Sequence, residues 1–532
     1  MARLAAIDIG SNALRLRIVD VDPPETGPRG PRFKPFREVF ADRAPVRLGH
    51  DVFTRGKLEP SMIAAACEAL RRFRLAMDDA KVDRYRAVAT SASREAKNRD
   101  VFVERAEREA GVHVEVIEGV EEARLVQVAV DERMNLVGRS VVLVDIGGGS
   151  TELTLMRDRH AVYSRSLPVG TVRLIEAFLD GDGRVDAEAG LLLDEYVRRV
   201  SSEALREIAE AAGGKADGLV GTGGNIETLA ELCPPSRAFA DSRGIDVDAM
   251  RLLLRELYDA SVAERQARWG LRADRADTIV PATKILTTVA LGLGIDRIEA
   301  PGVGLKEGVL VDLATQHFLP RDFSGEAAAV SEACLRLGRR YKFDEEHGQV
   351  VAGLAARLFD DLSAYHGQGP RERILLMAAA MLHDVGDFVR YEGHHKHGHY
   401  IILHSDLMGL SPAERDVVAN VARYHRKSPP SLEHENFRAL TQKARSQVKV
   451  LAGLLRVADA LDREHRGVVT SVRARVDAGA IWLDIQGSTD RALEEWTVRA
   501  KSGLLRESLG MEVRISNPVA SLPPTPPPSQ RP

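Results

Sequence analysis

Cysteine is scarce in this 532-residue chain: Cys67, Cys233 and Cys334 are far apart, and no two form a CxxC pair. That excludes a disulfide framework and a cysteine-held zinc, and it fits a reducing, cytoplasmic setting. Long apolar runs are missing too. No stretch approaches the ~18 uninterrupted apolar residues of a membrane span. The opening MARLAAIDIGSN reads as a strand and a glycine turn, without the apolar segment of a secretory signal. Neither sign of charge dominates, since 74 Lys and Arg stand against 78 Asp and Glu, a net charge of -4. The chain as a whole therefore gives no argument for specific nucleic-acid binding, and an anionic substrate must be met by a local basic patch.

What is present is an ordinary globular composition, 44% hydrophobic, in a length that predicts roughly three to four domains. Strands are expected at 4–9, 14–20, 36–41, 85–89 and 113–117, with helices at 60–78, 99–110 and 119–131. Such alternation predicts an α/β layered unit. A second unit opens near residue 140 as the first did: SVVLVDIGGGSTELTLM repeats the strand, Asp-Ile-Gly turn and strand of LAAIDIGSNALRLRIV. This internal repeat predicts two similar lobes, at 1–132 and 133–318. In the second lobe a long helix at 185–212, helices at 246–256 and 283–290, and the closing GVGLKEGVLVDL are expected. Helical periodicity dominates from 319 to 465, and a small α/β unit follows at 466–516, with strands at 467–474, 480–485 and 511–514 and a helix at 490–505. The tail 517–532, NPVASLPPTPPPSQRP, is proline-rich and predicts disorder.

The chemistry begins in the turns. Asp8-Ile-Gly-Ser11-Asn12 and Asp145-Ile-Gly147-Gly148-Gly149-Ser150 each place a glycine turn between strands. Such a turn exposes backbone N–H groups that bind anionic oxygens, and an Asp at the strand end can hold a cation against them. Gly221-Thr222-Gly223-Gly224-Asn225 is a third loop of this kind, between a strand and a helix start. For one loop alone, a plain tight turn is the simpler reading. Three loops, two of them in matching repeats, favour a phosphate site. Glu121 and Glu122 open a helix after Gly119, where a carboxylate is stabilised in its ionised form, and the position does not choose between them.

Residues 1–318 resemble the exopolyphosphatase and guanosine-pentaphosphate phosphatase family, within the actin, hexokinase and sugar-kinase superfamily. The resemblance rests on AIDIGSNALRL, ATSASREAKN, VIEGVEEARL, VDIGGGSTEL, GTGGN and GLKEGVL. It implies an actin-like, two-lobed duplicated fold, a Mg²⁺ cofactor with Mn²⁺ as a substitute, and a homodimer. It also implies Glu122 as the carboxylate that activates water. Ser11, Asn12, Arg94, Gly147, Gly148, Gly149, Ser150, Gly223, Gly224 and Asn225 would bind phosphate. Asp8, Asp145, Glu121 and Glu307 would stand on the metal side. Ala13 departs from the pattern, where a hydroxyl residue is common.

In the helical region, His347, His383-Asp384 and Asp459 match the H, HD and D pattern of the HD metal phosphohydrolase superfamily. His395, His399 and His425 are the further candidates for completing a second divalent-metal site. The alternatives are a vestigial polar bundle, a structural metal site and an independent hydrolase. Basic residues recur around them: Arg390, Lys396, Arg426, Lys427, Lys443, Arg445 and Lys449 would form a track for a polyanion. The function expected is removal of the terminal phosphate from inorganic polyphosphate. Guanosine pentaphosphate is the alternative substrate, and a non-catalytic sensor of a phosphorylated ligand is the third reading.

Overall fold

The computed structural model of the chain describes residues 1–27, 30–179, 181–214, 216–235, 242–319, 324–488 and 490–516. It divides into two compact units, Met1–Asp322 and Phe323–Pro532. The tail expected to be disordered lies outside the described residues.

The first unit holds two sheets with one plan. In the first, the strand order is Arg37–Ala44, Leu14–Val21, Ala2–Ile9, Arg84–Ala89, Val114–Val116. The hairpin pairs are antiparallel, and the last two strands run parallel to Ala2–Ile9. The second sheet repeats this with His160–Leu167, Thr151–Arg157, Ser140–Ile146, Gly218–Thr222 and Arg297–Ala300, and adds an antiparallel edge strand, Arg243–Asp246. The repeat seen in the sequence is thus a repeat of topology, and the actin-like duplicated fold is present. The central strands Ala2–Ile9 and Ser140–Ile146 are buried almost end to end, as strands covered on both faces must be. Helices do the covering. Pro60–Asp79 buries Ile63, Leu70, Phe73 and Met77 in the first lobe, and Ile279–Gly292 is apolar nearly all round and sunk in the second.

The duplication extends to the turns. Gly10 N–H donates to Ala13 O in one lobe, and Gly147 N–H to Ser150 O in the other. In both, the Asp closes a buried strand at the lip of the turn.

The second unit is helical from Ser324 to Ala460, the longest pieces being Ser324–Arg340, Glu345–Asp361 and Gln442–Ala460. A three-stranded sheet of Val469–Asp477, Ala480–Gly487 and Glu512–Ile515 follows. The single helix expected at 490–505 is two, Ala492–Lys501 and Gly503–Leu509. At Gly453 the helix Gln442–Ala460 approaches Leu505 so closely that a Cβ would lie 3.0 Å from its backbone. Among the described residues, no helix is long and apolar enough to cross a membrane.

Candidate active site

In the first unit a cavity of about 620 Å³ is lined by both hairpin turns, the Gly223–Asn225 loop and the start of the helix Leu305–Phe318. Its floor is acidic: Glu122 and Asp145 line it, and Glu152 stands against both. One carboxylate oxygen each from Glu122, Asp145 and Glu152 lies within 4.8 Å of the others. Glu122 comes from the first turn of the helix Gly119–Arg133, and Asp145 and Glu152 face each other across the hairpin register. All three are buried. Burial, followed by the Glu152 charge, pushes the Glu122 carboxyl well above its usual range. Burial, with the Asp145 charge next, lifts Glu152 to about 7 against the hydrogen bond from Ser166. Asp145 is also raised by burial, although the Thr222 hydroxyl donates to its Oδ1 at 2.6 Å.

Three like charges held this close and out of water are unstable without a cation or a proton. Glu152 Oε2 and Asn12 Oδ1 are buried and bonded to no protein atom. The donors are all oxygen, which suits a hard divalent cation.

The expected residues divide by placement. Asp8, Ser11, Asn12, Glu122, Asp145, Gly147, Gly148, Gly223, Gly224, Asn225 and Glu307 line the cavity. Gly149 and Ser150 belong to the turn behind it. A Cβ at Gly149 would meet Phe53 at 2.2 Å, and one at Gly148 would meet Ser11 at 2.8 Å; these glycines let the lobes approach as well as freeing backbone N–H groups. Arg94 stands beside Glu122: its Nη1 donates to Ile117 O at 2.7 Å and reaches Glu122 Oε2 at 3.5 Å. Asn225 Oδ1 accepts from Arg275 and Thr278, each at 3.3 Å. Glu307 caps its own helix at Gly304 and pairs with Arg17 at 2.7 Å.

Glu121, expected on the metal side, is not brought to the cavity. Successive helix positions point about 100° apart, and its carboxylate lies between Arg124 and Arg86, which also bind Asp312. Burial acts to raise Glu121, but the two guanidiniums prevail and hold it below its usual value.

Several residues in or against the cavity carry no expectation from the sequence. Glu152 had a legible signal: it stands seven residues after Asp145, as Arg15 stands seven after Asp8. In each hairpin that residue is the cross-strand partner of the Asp. Arg15 pairs with Asp8 at 2.9 Å. Arg275 packs on Gly224, where a Cβ would lie 2.0 Å from its Nη2; no motif announces it.

The second unit holds a separate cluster. His347 Nε2 and His383 Nε2 are 3.3 Å apart, as are His394 Nε2 and His425 Nε2. Asp384 lies between the pairs, with Oδ2 3.5 Å from His383 and Oδ1 3.1 Å from His394 and 3.4 Å from His425. Asp459 Oδ1 is 3.7 Å from His383 Nε2. Each of the four imidazoles has its Nδ1 against an oxygen: Asp462, Ala380, Asp387 and Ala422 respectively. That orientation is the outer support that metal-binding histidines use, so the cluster could coordinate a divalent metal. His395 and His399 do not join it. His394 takes the place expected of them, because the helix His394–Leu403 starts right after Gly393 (φ 79°) and turns His394 inward. Burial holds His395 and His399 down to about 4.

Paired lobes with facing glycine turns and acids between them define a phosphate-handling protein of the actin-like class. The Ppx/GppA phosphatase family matches residues 30–317, and domain III of Ppx/GppA phosphatases matches residues 331–508. The chain belongs to the Ppx/GppA phosphatase family, and its helical region is consistent with an HD-like fold. It is 27% identical to the guanosine-5'-triphosphate,3'-diphosphate pyrophosphatase of Aeromonas hydrophila over 484 residues, covering 90% of this chain and 92% of the relative. It is 27% identical over 454 residues to the enzyme of that name from Pseudoalteromonas atlantica, covering 84% of each. The crystal structure of an exopolyphosphatase from Cytophaga hutchinsonii overlays on 59% of this chain and 98% of its own, at 25% identity and a TM-score of 0.51.

Proposed function

We propose that the cavity of the first unit hydrolyses the terminal phosphoanhydride of inorganic polyphosphate and releases orthophosphate. The observation that carries this is the carboxylate trio set between two glycine turns, with buried polar atoms that bond to no protein group. Asn12 and the N–H groups of both turns bind the terminal phosphoryl oxygens. Glu122 orients the attacking water and takes its proton. Arg94, on the Glu122 carboxylate, favours its ionised form. Thr222 fixes Asp145 through Oδ1. A Mg²⁺ or Mn²⁺ ion bound by Asp145 with Glu152 would neutralise the phosphoryl oxygens. Phosphoryl transfer needs positioning and charge compensation rather than a covalent enzyme intermediate.

The walls of the cavity favour an inorganic chain. Arg15, Arg17, Arg43, Arg272, Arg275 and Lys306 line it, and none of the described lining residues is aromatic. A polyanion finds cations there, whereas a purine finds no ring to stack on. The second reading is removal of the 5′ phosphate from guanosine pentaphosphate, favoured by the activity for which the relatives spanning most of the chain are named. Both substrates end in the same phosphoanhydride, so kcat/KM for orthophosphate release from each, measured on the full chain with Mg²⁺, decides. A higher value on long polyphosphate is expected. A much higher value on the pentaphosphate inverts the ranking, and release from neither ends both readings.

A further inference from the structure

The acid of the histidine–aspartate cluster that lies deepest in its helix has a partner no metal-ligand pattern includes. Asp459 presents its two oxygens to different neighbours. Oδ1 faces His383 and His347 at 3.7 and 3.9 Å, while Oδ2 accepts from Lys501 Nζ at 2.6 Å. Lys501 ends the helix Ala492–Lys501, which packs against the helix carrying Asp459. The Asp459 side chain is 7% exposed and that of Lys501 is 23% exposed, so the contact is largely out of water, where a unit charge acts strongly. The nearby Arg456 is turned away, donating to the carbonyls of Tyr424, Lys427 and Ser428.

We propose that Lys501 is an intramolecular counter-cation of this cluster, which confines Asp459 to one-oxygen ligation and weakens divalent-metal binding between His347, His383 and Asp459. Two physical effects oppose each other at this contact. The ammonium holds Asp459 in place, which favours a metal, and its charge repels the metal and takes an oxygen from it, which disfavours one. Asp459 is already fixed by its position inside a buried helix and by the imidazoles around it, so the repulsion dominates. The cluster is then satisfied without metal, and occupancy depends on how firmly the helix that carries Lys501 is seated. The inference rests on the histidine–aspartate cluster and is independent of the cavity in the first unit.

The test is calorimetric titration of Mn²⁺ into the full-length protein, with cluster binding taken as the difference from a His383→Ala control that keeps every site of the first unit. Lys501→Met, which keeps the stem and loses the charge, should bind Mn²⁺ at the cluster about tenfold more tightly than wild type. Its metal-free melting temperature should be lower, and its gain on adding Mn²⁺ larger. Lys501→Arg should behave as wild type. A tether of purely structural value would lower the melting temperature and leave the Mn²⁺ affinity unchanged, and that result overturns the proposal. If wild type, Lys501→Met and His383→Ala give one and the same isotherm, the cluster holds no Mn²⁺ and the metal reading falls together with the proposal. A difference between wild type and His383→Ala, with none between wild type and Lys501→Met, removes the role of Lys501 alone.

Discussion

In the cavity of the first unit, Glu122, Asp145 and Glu152 crowd one another and all three titrate above their usual range. In the helical unit, Asp459 is as deeply placed and Asp384 is half-buried, yet both are held well below theirs. Burial acts to raise every one of these acids; their neighbours differ. His383, lowered by burial but lifted to about 9 by Asp384 and Asp459, supplies one positive charge, and Lys501 supplies another. The cavity trio has Arg94 at 3.5 Å from Glu122, while two of the arginines on the cavity walls pair with other acids, Arg15 with Asp8 and Arg17 with Glu307. Asp384 and Asp459 are thus balanced by positive charges within their own cluster. The cavity trio carries charge that a bound cation or proton must balance, and sites of that kind are where perturbed carboxyls mark chemistry.

The contrast is sharpest under substitution. Glu122→Gln keeps the shape of the side chain and removes its basicity. Orthophosphate release should fall roughly a hundred- to ten-thousandfold, the range of a lost general base, while the melting temperature holds or rises because a crowded charge has gone. Asp459→Asn should leave short-chain hydrolysis intact. An Asp459→Asn protein as inactive as Glu122→Gln would join the two clusters in one reaction and undo the comparison.

A smaller effect is expected in stability against pH. Glu152 titrates near 7 in the fold and at 4.5 without its surroundings. An acid whose value is raised on folding contributes stability that is whole below the unfolded value and lost as pH rises through the folded one. The metal-free protein should therefore melt at lower temperature at pH 8 than at pH 5. Glu152→Gln should flatten that fall by a few degrees, and so should Mg²⁺ added to wild type. Asp384 and Asp459 have the opposite sign. Their contribution is present throughout this window and is lost only as pH falls well below the usual carboxylate range. Equal melting curves for wild type and Glu152→Gln at both pH values would show that Glu152 carries no strain.

Much of the cavity was legible because a glycine turn declares itself: DIGGGS and GTGGN are backbone requirements written as residue types. The duplication was legible for the same reason. Glu152 escaped because a charge in an alternating strand looks like an exposed one until the two hairpins are laid over each other and Arg15 is seen to be its counterpart. The choice of His394 over His395 and His399 was not legible. Adjacent imidazoles on a helix differ only by rotation, and the rotation is set by where the helix starts. Arg275 and Lys501 could not be found from pattern at all, since each reaches its partner from a distant element.

The smallest effect concerns the expected polyanion track, which the structure thins. Arg390 pairs with Glu392, and Arg426 lies over the Tyr391 ring with its Nη1 near His394. Lys396 and Lys427 stay exposed, and Lys443, Arg445 and Lys449 lie along the helix Gln442–Ala460, the two lysines exposed and Arg445 half-buried. On the proposed function, a short substrate should gain nothing from them. A long polymer held at its end makes each further contact as an intramolecular event, so weak cations add up. Changing Lys443, Arg445 and Lys449 to alanine should raise KM for long polyphosphate about three- to tenfold at low salt, with kcat on a short chain unchanged because uniform binding does not lower the chemical barrier. Salt screens exposed charges beyond about 10 Å at 0.1 M, so the gap between variant and wild type should close as salt is added. A gap that persists in high salt would point to a folding defect in place of lost attraction, and a KM that rises equally on short and long chains would place these cations outside any polymer path.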